Sequence, residues 1–227
     1  MFGSPPTSSP TGPPGCYARR LVIFALDLEG VLAPEIWPLL GETFRVPDFS
    51  LTTRDLGDFE ELMRRRVSAA RAAGLTLREL QRIAHEVQPY LGAREFIERL
   101  RAIGNVIVIS DTFHEFSDPL AGRLGNVNLF ANQFAVDSSG LISGFQLRIR
   151  GQKERIVSGF KSAGFAVAAM GDSLNDLSLL RSCDFPVLYR PVKSLLDQFP
   201  GAPVAQHLDD ALALMEAARR KLDANGR

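Results

Sequence analysis

Three apolar runs in this chain each end at polar residues that are suited to phosphate chemistry. Continuous apolar runs bounded by turn residues are typical of strands buried on both faces, as in a parallel sheet covered by helices. Such sheets bind ligands at the carboxyl ends of their strands, so we expect one site to receive the residues that follow the runs. The runs end at residues 26, 109 and 170, and the residues that follow them are Asp27, Glu29, Ser110, Asp172 and Asp176.

The carboxylates in this set predict a magnesium-dependent phosphoryl transfer. Carboxylate oxygens are ligands that Mg²⁺ prefers, and a carboxylate can attack phosphorus to form an aspartyl-phosphate. The metal ion reduces the repulsion between an anionic nucleophile and an anionic substrate. We therefore expect Asp27 to be the ionised nucleophile and Glu29 to give a proton to the leaving alkoxide. Asp172 completes the predicted metal shell.

Ser110 and Lys153 are expected to hold the phosphoryl group. Ser110 offers a hydroxyl beside the free N–H groups of a predicted helix start, and Lys153 offers a mobile cation for the transition-state charge. Two alternatives stay open. Lys153 can be a solvated helix charge, with Arg155 and Lys161 as rivals for the phosphate site, and Asp176 can cap a helix instead of supporting the metal.

Thr112 and Glu115 have the spacing of a capping box at the next predicted helix start. A capping box uses both side chains to satisfy backbone N–H groups of the helix. We therefore leave both residues outside the predicted site.

Composition and charge narrow the class of protein. The chain has 227 residues, 45% of them hydrophobic, and its 26 basic and 26 acidic side chains balance. A chain of this size and composition can bury a full core. With no net charge, its electrostatic field is not that of a general nucleic-acid binder. We find no apolar stretch long enough to span a membrane and no signal-peptide pattern, and Cys16 and Cys183 suggest no disulfide framework. We expect a cytoplasmic protein that binds neither nucleic acid nor membrane.

The arrangement of predicted elements indicates an α/β fold, a doubly wound and mostly parallel sheet with a small helical cap inserted after the first strand. Residues 1–18 are rich in Pro, Gly, Ser and Thr and are expected to be a disordered leader. Residues 19–33 and 90–227 are the predicted core, and residues 34–89 are the predicted cap, with Trp37 as an apolar contact between the two. Three helical patterns in the cap span residues 35–44, 55–73 and 76–87, and a hairpin turn is predicted at residues 137–140.

Taken together, the motifs resemble those of the haloacid dehalogenase superfamily of phosphohydrolases. The longer stretches around residues 27–37, 110–116 and 171–176 are more specifically similar to the ThrH-type branch of phosphoserine phosphatases. That branch also transfers phosphate from phosphoserine to homoserine. The four motifs are Asp27-Leu28-Glu29-Gly30-Val31, Ser110-Asp111-Thr112, Lys153, and Gly171-Asp172-Ser173-Leu174-Asn175-Asp176.

The resemblance implies roles for individual residues at the metal. By it, Asp27 is the nucleophile and a Mg²⁺ ligand, and Asp172 is a further ligand. Residue 29 ligates Mg²⁺ through its backbone carbonyl and acts as acid and base through its side chain. Asn175 and Asp176 support the metal shell.

In the cap, the resemblance implies that Glu35 binds the substrate ammonium, Arg66 binds its carboxylate and Phe59 covers it. Two departures from the superfamily pattern concern the core. Glu29 stands where most members have Asp, as in the ThrH-type branch, and residues 111–112 are Asp and Thr where phosphoserine phosphatases usually have glycines.

These observations predict a Mg²⁺-dependent phosphomonoesterase that hydrolyses O-phosphoserine through an aspartyl-phosphate, with transfer to homoserine as a further activity of the branch. One alternative keeps the chemistry and changes the substrate to another small phosphorylated metabolite or a nucleotide. Another is a non-catalytic module that binds a phosphorylated ligand. The expected assembly is a monomer or a homodimer.

Overall fold

The computed structural model describes residues 21–149 and 153–224. The predicted leader at residues 1–18 lies outside the described residues, and so do Cys16 and residues 19–20, where the predicted core begins.

Within the described ranges, the strands form one seven-stranded sheet in the order β4-β3-β2-β1-β5-β6-β7. All neighbouring strands are parallel except β3 and β4, which form the predicted antiparallel hairpin. The mostly parallel sheet is thereby confirmed. The strands are β1 Val22–Leu26, β2 Asn105–Phe113, β3 Asn128–Val136, β4 Ile142–Gln146, β5 Ala166–Gly171, β6 Phe185–Tyr189 and β7 Val204–Ala205.

Helices cover both faces of the sheet, as a doubly wound fold requires. Two short 3₁₀ helices, Pro47–Ser50 and Leu174–Asp176, accompany them. The α-helices are α1 Ile36–Phe44, α2 Thr53–Leu56, α3 Phe59–Ala72, α4 Leu77–Ala84, α5 Ala93–Arg101, α6 His114–Arg123, α7 Glu154–Ser162, α8 Leu177–Ser182, α9 Lys193–Leu196 and α10 Leu208–Ala224. Across the described residues, every helix is too short or too polar to span a bilayer.

The position of strand β1 in the sheet explains why its sequence is apolar throughout. Successive side chains of a strand point to opposite faces of the sheet. Val22, Phe24 and Leu26 enter the core beneath α5, α6 and α10, and Ile23 and Ala25 enter the core beneath α7 and α8. Both faces of the strand are therefore buried, and its end is fixed beneath the site.

Two predicted boundaries were wrong. Strand β2 continues through Ser110 to Phe113, because its pairing with β3 resumes after a register shift between Ile109 and Phe113. The single helix expected over residues 55–73 is divided at Gly57, whose φ of +76° is outside the helical region. Asp58 then caps α3 by accepting hydrogen bonds from two backbone N–H groups.

Residues 34–89, which we call the insertion, lie between β1 and α5 and contain α1 to α4. Trp37 of α1 makes edge contacts with Phe49 in the insertion and with Phe116 and Phe134 in the rest of the chain. The expectation that Trp37 is an apolar contact between the two parts is confirmed.

The insertion also contacts the β3–β4 hairpin. Arg71 at the end of α3 donates to the Asp137 carboxylate over 2.8 Å and to the Ile142 carbonyl over 3.1 Å. Thr76 forms an isolated antiparallel bridge with Leu141. These contacts place the insertion beside the carboxyl ends of the strands.

Candidate active site

The carboxyl ends of three adjacent strands meet at one place on the sheet. Asp27 follows β1, and its backbone N–H donates to the carbonyl of Met170 in β5 over 3.0 Å. Asp172 follows β5, and Ser110 lies in the last part of β2. Since β1 pairs with both β2 and β5, the fold brings together the three predicted motifs that lie at the ends of these strands.

Lys153 lies at the centre of this site. It directly precedes α7, its side chain is 1% exposed, and its Nζ donates to Asp27 Oδ1 over 2.6 Å and to Asp176 Oδ1 over 2.7 Å. Asp111 Oδ2 is 3.9 Å from the same atom. Burial acts to lower the pKa of Lys153, but the three carboxylates outweigh it and raise that pKa well above its usual value.

The two alternative cations for the phosphate site have different surroundings from Lys153. Lys161 is partly exposed and pairs with Asp184 at 2.9 Å, and Arg155 is exposed. Of these three cations, Lys153 alone contacts the carboxylate of Asp27.

Three carboxylates in the site could hold a metal ion. Asp27, Asp172 and Asp176 each offer an oxygen, and these atoms lie within 4.8 Å of one another. Burial first, and the neighbouring carboxylates second, raise the pKa of Asp27 well above its usual range and that of Asp172 to about 7. The single buried ammonium of Lys153 does not balance the negative charge of the three carboxylates. A donor set made only of oxygen suits a hard divalent cation such as Mg²⁺.

Asp176 has the capping role, which is one of the two alternatives that the sequence left open, and its support of the metal shell stays a prediction. Its Oδ2 accepts hydrogen bonds from the backbone N–H groups of Asp172 at 3.0 Å and Ser173 at 3.4 Å, which is a capping interaction. Its Oδ1 bonds Lys153 at the same time. Asn175 is exposed, and its side-chain oxygen accepts from Thr53 of the insertion over 3.3 Å. Its support of the metal shell stays a prediction.

Two glycines allow the carboxylates to approach the backbone. Gly30 has a φ of +82°, and a Cβ at that position would lie 2.4 Å from Asp172 Oδ2. A Cβ on Gly171 would lie 2.4 Å from the Cβ of Asp176. Any other residue at either position would displace a carboxylate of the cluster.

Glu29 lies beside this cluster in a partly buried position. Its Oε1 accepts from the backbone N–H of Ile36 and from the Thr112 hydroxyl, each over 3.3 Å. Burial is the main cause that raises its pKa to about 8, and the carboxyl of Glu35, to which it is hydrogen-bonded, adds to the shift. Glu29 therefore carries a proton near neutral pH, as a general acid must.

The insertion brings one buried cation to the same place. Arg66 is 7% exposed, its Nη2 donates to the Leu51 carbonyl over 2.6 Å, and its guanidinium stacks 4.7 Å from the Trp37 ring centre. Burial lowers its pKa to about 10, while Glu29 and Glu35 oppose that change, so the group stays charged. Its Nε is buried and has no partner among the described residues.

The other two substrate residues predicted in the insertion lie nearer the solvent. Glu35 is exposed at the start of α1, with its carboxyl against that of Glu29. Phe59, the first residue of α3, is half-buried and packs against the main apolar core. The structure brings Glu35, Arg66 and Glu29 together, and the contact of Phe59 with a substrate stays a prediction.

Two residues of the site, Asp111 and Thr112, were not predicted from the sequence. The predicted capping box was wrong, because α6 begins at His114 after Phe113 and has no side-chain cap. Thr112 instead bonds Glu29, and Asp111 lies near Lys153 with a buried Oδ1 that has no partner among the described residues. Strand periodicity could have identified Thr112, since residues i and i+2 share a face and Ser110 was already assigned to the site.

Comparisons with known proteins identify the family of this chain. A family model described as haloacid dehalogenase-like hydrolase matches residues 24–181. The chain is 37% identical over 188 residues to the phosphoserine phosphatase ThrH of Pseudomonas aeruginosa, covering 83% of this chain and 92% of that protein. It is 35% identical over 201 residues to a phosphoserine phosphatase of Pseudomonas syringae pv. tomato, covering 88% and 85%.

Solved structures share the fold. A substrate-bound phosphoserine phosphatase matches with a TM-score of 0.70 at 19% identity, covering 86% of this chain and 98% of the other. A phospho-aspartyl intermediate analogue of phosphoserine phosphatase matches with a TM-score of 0.68 at 20% identity and the same coverage. At these identities the likeness concerns the fold alone.

Proposed function

Because the chain belongs to the haloacid dehalogenase-like hydrolase family and is a phosphatase of it, we propose that it hydrolyses O-phosphoserine, with Mg²⁺, through an aspartyl-phosphate on Asp27. The observation that carries the proposal is the convergence of the Asp27, Asp172 and Asp176 carboxylates at the strand ends, with the Lys153 ammonium bonded to Asp27 and Asp176. The names of the two Pseudomonas relatives support phosphoserine as the substrate.

The proposed reaction has two displacements at phosphorus. The Asp27 carboxylate forms a bond to phosphorus, the bond to the serine oxygen breaks, and the departing alkoxide takes the proton of Glu29. A water then attacks the aspartyl-phosphate, Glu29 takes its proton, and inorganic phosphate leaves with Asp27 regenerated. Throughout, Lys153 orients Asp27 and stabilises the charge on the transferred group.

We propose that Mg²⁺ is held by the carboxylates of Asp27 and Asp172 and the backbone carbonyl of Glu29, with Asn175 and Asp176 in support. When bound, it would neutralise the excess of carboxylate charge and allow a phosphate dianion to approach Asp27. Ser110 is 2% exposed in the last part of β2, where its hydroxyl would contact a phosphoryl oxygen.

The insertion is proposed to be a cap that encloses the amino-acid part of the substrate. A guanidinium suits a carboxylate because its planar fork can form two parallel hydrogen bonds. Arg66 would bind the substrate carboxylate, Glu35 its ammonium, and Phe59 would cover it. Stacking on Trp37 holds the guanidinium of Arg66 in place before a substrate arrives.

The direct test is phosphate release from O-phosphoserine with 5′-nucleotides and other small phosphate monoesters as comparisons. We expect turnover of O-phosphoserine in Mg²⁺, loss of turnover in EDTA, and recovery when Mg²⁺ is restored in excess, because the carboxylate cluster needs a cation. Malachite-green detection of phosphate measures all three. A rate that EDTA leaves unchanged would remove the metal from the proposal.

The same assay distinguishes the alternatives. Homoserine is added in one arm, and formation of phosphohomoserine would show transfer beside hydrolysis. Preference for a nucleotide or another metabolite would replace phosphoserine as the substrate. No turnover of any monoester, with phosphate still bound, would favour a non-catalytic binding module.

Arg66→Ala is expected to lower kcat/KM for O-phosphoserine by about 10- to 100-fold, the amount that one charge-assisted hydrogen bond contributes. O-phosphoethanolamine has the ammonium and lacks the carboxylate, so its kcat/KM should change much less. Arg65→Ala, which alters an exposed neighbour on α3, is the control and should affect neither substrate. Equal losses on the two substrates in Arg66→Ala would show that Arg66 does not bind the carboxylate.

A further inference from the structure

We propose that Thr112 is a positioning residue for the acid–base step: its hydroxyl holds the Glu29 carboxyl in the orientation that delivers a proton to the leaving oxygen. The inference rests on the proposed function of Glu29. Thr112 does not touch the reacting atoms and would act only through Glu29.

Two donors from different parts of the chain meet on one oxygen of Glu29. Thr112 is 3% exposed, and its Oγ1 donates to Glu29 Oε1 over 3.3 Å across 83 residues of sequence. The backbone N–H of Ile36, at the start of α1, donates to the same Oε1 over 3.3 Å. Because Oε1 accepts both bonds, Oε2 is the oxygen left to carry the transferred proton.

Thr112 also contacts the residue assigned to the phosphoryl group. Its backbone N–H donates to Ser110 Oγ over 3.3 Å. Ser110 and Thr112 are two residues apart in β2 and share a face of the strand. This bond uses the backbone of Thr112, so it does not depend on the hydroxyl that contacts Glu29.

Glu29 needs such a restraint because its side chain is long. A glutamate has one more rotatable bond than an aspartate, and each additional freely rotating bond must be ordered for the proton to be delivered. The Ile36 N–H holds Glu29 Oε1 from the side of the insertion. The Thr112 hydroxyl holds the same oxygen from the side of the core.

The decisive variant is Thr112→Val, which removes the hydroxyl and keeps the shape and the β-branched preference for a strand. It is assayed with two substrates whose leaving groups differ. The serine alkoxide of O-phosphoserine needs a proton as it leaves, whereas the phenolate of p-nitrophenyl phosphate leaves without one. We compare kcat/KM, which reports the steps up to departure of the leaving group.

We expect Thr112→Val to lower kcat/KM for O-phosphoserine by about 10- to 100-fold, as misplacement of a catalytic group does, and to lower that for p-nitrophenyl phosphate by less than about 3-fold. Thr112→Ser retains a hydroxyl and should recover most of the loss. Ser117→Ala is the matched control, because it removes another buried hydroxyl, one that donates to the Phe113 carbonyl. It should affect both substrates equally.

Equal losses on both substrates in Thr112→Val, or a Thr112→Ser variant as slow as Thr112→Val, would overturn the positioning role. Failure of the proposed function gives a different result. In that case the wild-type protein would cleave p-nitrophenyl phosphate and another alkyl phosphate but not O-phosphoserine, and the leaving-group comparison would be made with that alkyl phosphate. A wild-type protein that cleaves no monoester would overturn both proposals.

Discussion

Asp27→Asn is expected to lower the turnover of O-phosphoserine by about 10³-fold or more, which is typical of the removal of a covalent nucleophile. The amide that replaces the carboxylate cannot form the aspartyl-phosphate. The position of Asp27 at the end of β1, held by Lys153 and close to Asp172, is what a nucleophile at a metal site requires.

The same variant should be at least as stable as the wild type in metal-free buffer. Burial and the carboxylates of Asp176 and Asp172 raise the pKa of Asp27 in the folded protein. An acid whose pKa is raised by folding disfavours the folded state at every pH at which it is ionised in the unfolded chain, so a neutral amide removes that cost. Lys153 keeps its bond to Asp176.

Urea unfolding in EDTA and phosphate release in Mg²⁺ measure the two effects. Asp184→Asn is the control, since Asp184 also pairs with a lysine, Lys161, but lies outside the site. It should retain nearly full activity. Substantial turnover by Asp27→Asn would exclude the covalent mechanism, and a large loss of stability would mean that Asp27 has a structural role.

Lys153→Met is expected to abolish turnover and to lower the free energy of unfolding by about 3–5 kcal/mol, the range found when one partner of a buried ion pair is removed. Methionine has a similar length, so little packing is lost. The destabilisation arises because Asp27, Asp176 and Asp111 would stay buried without the ammonium that they share.

Lys161→Met provides the matched comparison for Lys153→Met. Lys161 lies in α7, the helix that Lys153 directly precedes, and it pairs with Asp184 at a partly exposed position. Exposed ion pairs contribute little, so its loss should cost less than about 1 kcal/mol and leave turnover unchanged. Urea unfolding of both variants measures the difference. Similar free energies of unfolding for the two variants would contradict the central role of Lys153. Mg²⁺ should restore part of the lost stability in Lys153→Met but not in Lys161→Met.

The parallel sheet and the residues at its strand ends could be predicted from the sequence, because both depend on local patterns. The run of residues 21–26 is apolar throughout, as the sequence of a strand buried on both faces must be. Asp27 and Asp172 follow such strands directly. Adjacent parallel strands end at the same edge of a sheet, so their meeting there follows from the order of the elements.

Other features depend on contacts between distant segments, and only the tertiary structure decided them. Thr112 has the local spacing of a helix cap, but the register shift in β2 extends the strand and aims its hydroxyl at Glu29. The sequence favoured Lys153 for the phosphate site but left Lys161 as an alternative, and only burial and ion-pair partners separate the two lysines. The periodicity of apolar residues along the sequence indicates a strand or a helix. The partner of a buried charge, in contrast, depends on which elements pack against it.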